Sequence, residues 1–146
     1  MPGTALSFSK SERLCHQRCI EDLFANGRSQ MVYPFSIRYL LSARSSAVDY
    51  PAQILIAVPK RRLHHAVDRN RVKRLTRECY RLRKARLYEQ LEHEGLSLSF
   101  ALRYVANDIM DYATLGRKMD KVINALSAII EKHASSNLDT SSQTTT

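Results

Sequence analysis

Residues 66–86, AVDRNRVKRLTRECYRLRKAR, constrain this chain more than any other stretch. Leu, Arg, Lys and Glu are good helix formers and neither Pro nor Gly interrupts the run, so a helix is expected. Asp68 near its start suits the positive end of the helix dipole. At about 100° per residue, Val72, Leu75, Cys79 and Leu82 gather on one side, and Asn70, Lys73, Arg74, Arg77, Arg81 and Lys84 on the other. The expected element is amphipathic, with one apolar face and one cationic stripe. A solvated face usually mixes signs, so that Glu and Lys pair four residues apart. Here only Glu78 breaks the run, within reach of Arg74 or Arg81. Such a ridge repels itself unless a polyanion faces it.

The net charge of +9 has a definite location. Between positions 60 and 86 lie 12 of the 23 Lys and Arg and two of the 14 acids, so the 11 bases and 12 acids elsewhere nearly cancel. Charge excess confined to one loop and one helix is the footprint of a phosphate-backbone binder. At 44% hydrophobic residues, the chain is globular and not a basic tail. Its 146 residues suffice for one domain with a single core. No run approaches a membrane span, and the N-terminus lacks a signal pattern. The expected location is the cytoplasm, where Cys15, Cys19 and Cys79 stay reduced. Cys15 and Cys19 stand one helical turn apart without the further His or Cys a zinc site needs.

Taken in order, residues 1–8 form a flexible N-terminus, and Ser9 and Glu12 fit a capping box. A first helix is expected over 16–26, with Cys19 or Ile20, Leu23 and Phe24 as its apolar stripe and Gly27 as its stop. Phe24 suits either core packing or a ligand. Residues 31–42 alternate, with Phe35, Ile37, Tyr39 and Leu41 on one side and Ser36, Arg38 and Leu40 on the other, as one strand or two broken near Pro34. The near-continuous apolar run at 52–59 predicts a central strand. A basic loop, 60–65, leads into the long helix, which is expected to fray between 88 and 94 and to end at Gly95. A strand at 96–105 and a helix at 112–132 follow, and the Ser/Thr-rich residues 134–146 read as a disordered tail. The order α-β-β-β-α-β-α describes one α+β domain over 9–133, a mixed sheet with helices largely on one side.

The stretch from Val58 to Glu78 resembles the bacterial ribonuclease P protein component family. The residues that carry the resemblance are Ala66-Val67, Arg69-Asn70-Arg71, Lys73-Arg74 and Arg77-Glu78, preceded by the basic loop. Arg13-Leu14, Leu23-Phe24, Gly27-Arg28-Ser29 and Ala101-Leu102-Arg103 fit the same pattern. Two positions depart from it. Pro59-Lys60-Arg61 stands where the family often has Ser-Lys-Lys, and Ile20 replaces the first of two helical Phe residues.

The resemblance implies a ferredoxin-like arrangement with a left-handed βαβ crossover, against the usual right-handed preference. It further implies a protein subunit of a ribonucleoprotein whose catalytic RNA subunit hydrolyses the phosphodiester with its own Mg²⁺. On that basis the protein carries no catalytic residue, binds no metal alone and needs no obligate protein partner. Lys60, Arg61, Arg62, Arg69, Asn70, Arg71, Lys73, Arg74, Arg77 and Arg81 are its candidates for binding the catalytic RNA. Arginine suits that role because its planar fork makes bidentate bonds to phosphate oxygens. Asn70 either bonds RNA or braces the motif. Candidates for the 5′ leader of precursor tRNA are Phe24, Ile20, Arg38, Tyr39 and Arg13, because single strands stack bases on aromatic rings beside cations.

Two rival classes remain. A protein-only nuclease would draw on His64, His65, Asp68 and Glu78, but adjacent histidines in an extended loop point opposite ways and Glu78 is surrounded by Arg. A general nucleic-acid-binding module shares the basic helix and lacks a reason for the spacing of the motif.

Overall fold

A computed structural model of the chain describes residues 12–14, 16–44 and 50–144, with side chains to residue 135. The element order is α1 (Gln17–Asn26), β1 (Arg28–Val32), β2 (Phe35–Ala43), β3 (Ala52–Ala57), α2 (Ala66–Glu94), β4 (Leu96–Tyr104) and α3 (Tyr112–Thr144). That is the α-β-β-β-α-β-α order read from the sequence. Residues 1–8 and most of the capping box lie outside the described residues.

The four strands form one mixed sheet in the order β1-β2-β4-β3. The β1-β2 hairpin turns at the Tyr33-Pro34 peptide, which is cis. β2 pairs antiparallel with β4, and β3 runs parallel to β4, its neighbour across the α2 crossover. The apolar run 52–59 had suggested a central strand, yet β3 is outermost of the four and β4 is central. Both sides of β3 are nevertheless covered, which explains its composition. Ile54 joins the main core, and Leu55 packs in a smaller cluster on the opposite side.

The sheet has two faces because side chains alternate. Phe35, Ile37, Ile54, Phe100 and Leu102 pack with Val72, Tyr80, Leu87, Met119 and Leu126 of α2 and α3. Tyr80 meets Phe100 edge-on at 5.7 Å between ring centroids, and Phe35 meets Tyr104 at 6.0 Å. Leu14, Leu23 and Ala101, with Ile20, Leu40 and Leu55, form the second cluster under α1. Helices therefore cover both faces, not largely one.

Two glycines have distinct reasons. A Cβ on Gly27 would lie 2.3 Å from the Leu23 carbonyl oxygen and 2.8 Å from that of Tyr39, so only Gly lets α1 end this close to β2. Gly95 takes the left-handed conformation, φ 67°, and its N–H closes on the carbonyls of Leu91 and Glu92. α2 is regular up to that cap, with no break between 88 and 94. α3 starts with the Asp111 carboxylate accepting the Thr114 N–H at 2.7 Å. It stays helical to Thr144, so the change of composition at 134 does not end the secondary structure.

Candidate nucleic-acid interface

The long helix carries the expected two faces, but they are rotated. Val72, Thr76, Cys79, Tyr80, Lys84, Leu87 and Leu91 are buried. Leu75 is only partly buried, and Leu82, assigned to the core by pattern, is 41% exposed. The buried face sits about a quarter turn from the one read off the apolar residues. Polar residues occupy it because each finds a partner. The Thr76 hydroxyl donates to the Val72 carbonyl at 2.7 Å. Lys84, assigned to the cationic stripe, is buried in an ion pair with Glu12. The Tyr88 hydroxyl donates to the same carboxylate at 2.6 Å, and burial pushes the Tyr88 and Tyr80 phenols well above their ordinary range.

Opposite this face lies the solvent-facing ridge. Asn70, Arg71 and Arg74 are exposed along it, and Lys60 and Arg61 are exposed in the turn that precedes the helix. Lys73 and Arg77 are half-buried on its flank. Arg81 grips Glu78 through both nitrogens of its fork, at 3.1 and 2.5 Å, and this hydrogen bond holds the Glu78 carboxyl below the usual range. Of the two partners foreseen for Glu78, Arg81 is therefore the one taken.

Two motif arginines serve the scaffold. Arg69 donates to the carbonyls of Leu63 and His64 at 2.9 and 2.8 Å, which holds the basic turn against the start of α2. Arg62 reaches the Asn107 side chain at 3.4 Å. Arg83 and Arg86 lie off the ridge, on the side of α3. They bond Asp120 at 2.7 Å and Asn124 at 2.9 Å, and so fix α3 against α2. Nothing in the local sequence separates such arginines from phosphate binders.

The residues expected at a second surface do not all meet. Phe24 is 51% exposed on α1, with Ile20 half-buried beside it. Arg38 lies on the same sheet face, and its guanidinium donates to the Leu23 and Phe24 carbonyls and to Ser29 Oγ at 3.3, 2.5 and 2.9 Å. It thus caps the C-terminal end of α1, taking the Phe24 carbonyl and sharing the Leu23 carbonyl with the Gly27 N–H. Tyr39, one residue on, faces the other side, in a groove with Arg28, Ile129 and Lys132 below α3. Strand alternation forbids Arg38 and Tyr39 from sharing a surface. Arg13 bridges to Ile54 at the outer edge of β3.

Among the described residues no three His, Cys, Asp or Glu side chains cluster as metal ligands, and no helix is long and apolar enough to cross a membrane. The exposed groups of the ridge are mainly guanidinium and ammonium donors, which suit phosphate oxygens.

A sheet scaffold that presents one long cationic helix defines a binding protein for an extended polyanion. Comparison with known proteins narrows this class. The profile of the family described as Ribonuclease P matches residues 8–127. The ribonuclease P protein component of Porphyromonas gingivalis is 35% identical over 136 residues, covering 93% of this chain and 97% of that one. That of Chlorobium phaeobacteroides is 36% identical over 105 residues, covering 68% and 72%. The Staphylococcus aureus RNase P protein shares the fold at a TM-score of 0.58 with 20% identity, covering 80% of this chain and 95% of that one. For the Thermotoga maritima protein the values are 0.53, 21%, 77% and 94%. The chain belongs to the ribonuclease P protein family. It is thereby part of an endoribonuclease holoenzyme of tRNA 5′-end processing, and its partner is the ribonuclease P RNA.

Proposed function

We propose that the ridge of α2 docks this subunit on the ribonuclease P RNA, and that the α1 side of the sheet receives the 5′ leader of precursor tRNA. The observation that carries the first part is the line of Lys60, Arg61, Asn70, Arg71 and Arg74, all exposed along the first turns of α2 and the basic turn before it. Their forks and charges suit backbone phosphates, which give affinity and position without reading sequence. Arg69 contributes by shaping the basic turn. Lys73, Arg77 and Arg81 flank the ridge.

On the other surface, exposed Phe24 with Ile20 offers a stacking platform beside the Arg38 guanidinium. Tyr39 is not part of it. Hydrolysis falls to the RNA subunit, which supplies the Mg²⁺ that such chemistry uses. The protein's own groups bind and orient RNA. The holoenzyme works in the cytoplasm.

Reconstitution tests this reading. The purified chain with its ribonuclease P RNA and Mg²⁺ should cleave precursor tRNA at the 5′ end, at a lower Mg²⁺ requirement than the RNA alone. Cleavage by the protein without RNA would replace this reading with a protein nuclease.

A further inference from the structure

A second cationic surface lies on the α3 side of the sheet, away from both α1 and the ridge. Arg28 of β1 stands directly opposite Tyr39 of β2 in the hairpin register. Their side chains therefore project to one face, with Cβ atoms about 5 Å apart. That face is the one α3 covers. Tyr39 packs against the main core, whereas Ser29 and Arg38, at the neighbouring register position, bond each other on the α1 face. Ala125, Ala128, Ile129 and Lys132 of α3 line the facing wall. At spacings of three, four and seven residues they share one side of the helix. With Ala at two of these positions the helix does not fill the space, and a groove of about 520 Å³ remains. Clefts that hold small ligands span roughly 300–1,000 Å³.

The groove is cationic and aromatic at once. Arg28 and Lys132 line it and no carboxylate does. Both are exposed, and among the described residues neither side chain has an ion-pair or hydrogen-bond partner. This sets them apart from Arg38, Arg69 and Arg83, which are bound to carbonyls or a carboxylate of the fold. Cations that the scaffold leaves open, beside a ring, match a ligand with a flat group and an anionic backbone. We propose that this groove holds one unstacked nucleotide of RNA, its base against the Tyr39 ring and its flanking phosphates at Arg28 and Lys132. The proposal rests on the RNA-binding reading above. It adds a third contact surface, on the opposite face of the sheet from Phe24, and gives Tyr39 an RNA role separate from the leader platform. The ribonuclease P RNA and precursor tRNA present the same chemistry, and either can supply the nucleotide.

Variants of the full chain test it in two arms, affinity for the ribonuclease P RNA and, as assembled holoenzyme, affinity for precursor tRNA. Arg28→Ala and Lys132→Ala truncate exposed side chains and should melt as wild type. Each should bind about tenfold more weakly, the loss of one charged hydrogen bond. Both losses should fall in the same arm, which identifies the RNA that enters the groove. Ala128→Glu places a carboxylate in the groove from an exposed helical position and should reproduce the loss in that arm. Tyr39→Phe, which keeps the ring, should bind about tenfold more tightly than Tyr39→Leu, which keeps only an apolar side chain. Thermal melts of this pair separate stacking from packing. Wild-type affinity of Arg28→Ala, Lys132→Ala and Ala128→Glu in both arms overturns the proposal, whatever the stability of the Tyr39 variants. Equal affinity of Tyr39→Phe and Tyr39→Leu at equal stability overturns it as well. Arg71→Ala/Arg74→Ala run alongside separates the two readings. A loss there with unchanged groove variants removes only the groove, whereas no loss at any of these positions removes the RNA interface itself.

Discussion

Lys84 lies in the most cationic helix of the chain, yet it is buried against Glu12, a residue 72 positions earlier in the sequence. The pair ties the N-terminal segment to the buried face of α2. Removing one member leaves the other charge buried without compensation. Glu12→Gln should therefore destabilise the fold by about 3–5 kcal/mol, whereas Glu12→Leu/Lys84→Met, which replaces both charges with apolar groups, should lie close to wild type. Urea unfolding of the three proteins checks this. Equal losses in the single and double variants would mean that the pair is not the link.

The rotation makes a second contrast within one helix. Leu87 is fully buried and Leu82 is 41% exposed. Leu87→Ala should cost about 2–5 kcal/mol, and Leu82→Ala should stay within roughly 0.5 kcal/mol of wild type. Thermal melts distinguish this from the faces suggested by apolar spacing, which would put the larger loss at Leu82.

Much of the scaffold was legible because its causes are local. The uninterrupted run from Ala66 and the stop at Gly95 mark α2, and the alternation of Phe35, Ile37, Tyr39 and Leu41 marks the core side of β2. The rotation of α2 was not legible, because its causes are remote. A pattern of apolar residues cannot foresee that Thr76 is satisfied by a backbone carbonyl and Lys84 by Glu12, or that the Tyr80 ring packs edge-on against Phe100. The same limit applies at the interface. Arg38, Arg69, Arg83 and Arg86 look like Arg71 and Arg74 in sequence, and only the fold shows that they hold α1, the basic turn and α3. The sequence order did place Arg38 and Tyr39 on opposite sides, so their joint assignment conflicted with the alternation already in hand.

The cap of α3 gives a pH dependence. Hydrogen bonding to Thr114 holds the Asp111 carboxyl below its ordinary range. A carboxylate whose pKa is lower in the folded state adds stability above its unfolded pKa and loses it as pH falls through the folded one. Asp111→Ala should lower the Tm at neutral pH, and the two proteins should converge once the pH lies below the folded value. A Tm difference independent of pH would assign the effect to packing.

Phe24 tests the second surface. Half exposed, its ring contributes little to the core, so Phe24→Ala should melt near wild type while Leu23→Ala does not. In the holoenzyme the variant should weaken binding of leader-bearing precursor tRNA by about 1–3 kcal/mol, the loss of one stacked base. Affinity for mature tRNA should be unchanged. A uniform loss for both substrates would place Phe24 outside the leader path.

The central claim is that exposed cations on α2 hold the ribonuclease P RNA through its phosphates. The most direct measurement is the affinity of the Arg71→Ala/Arg74→Ala protein for that RNA as a function of salt, with helical content confirmed by circular dichroism. Each lost phosphate contact lowers the steepness of log affinity against log salt by roughly 0.7–0.9. The double variant should therefore bind more weakly at low salt, with a slope shallower by about 1.4–1.8. An unchanged affinity and slope in a fully folded variant would contradict the account.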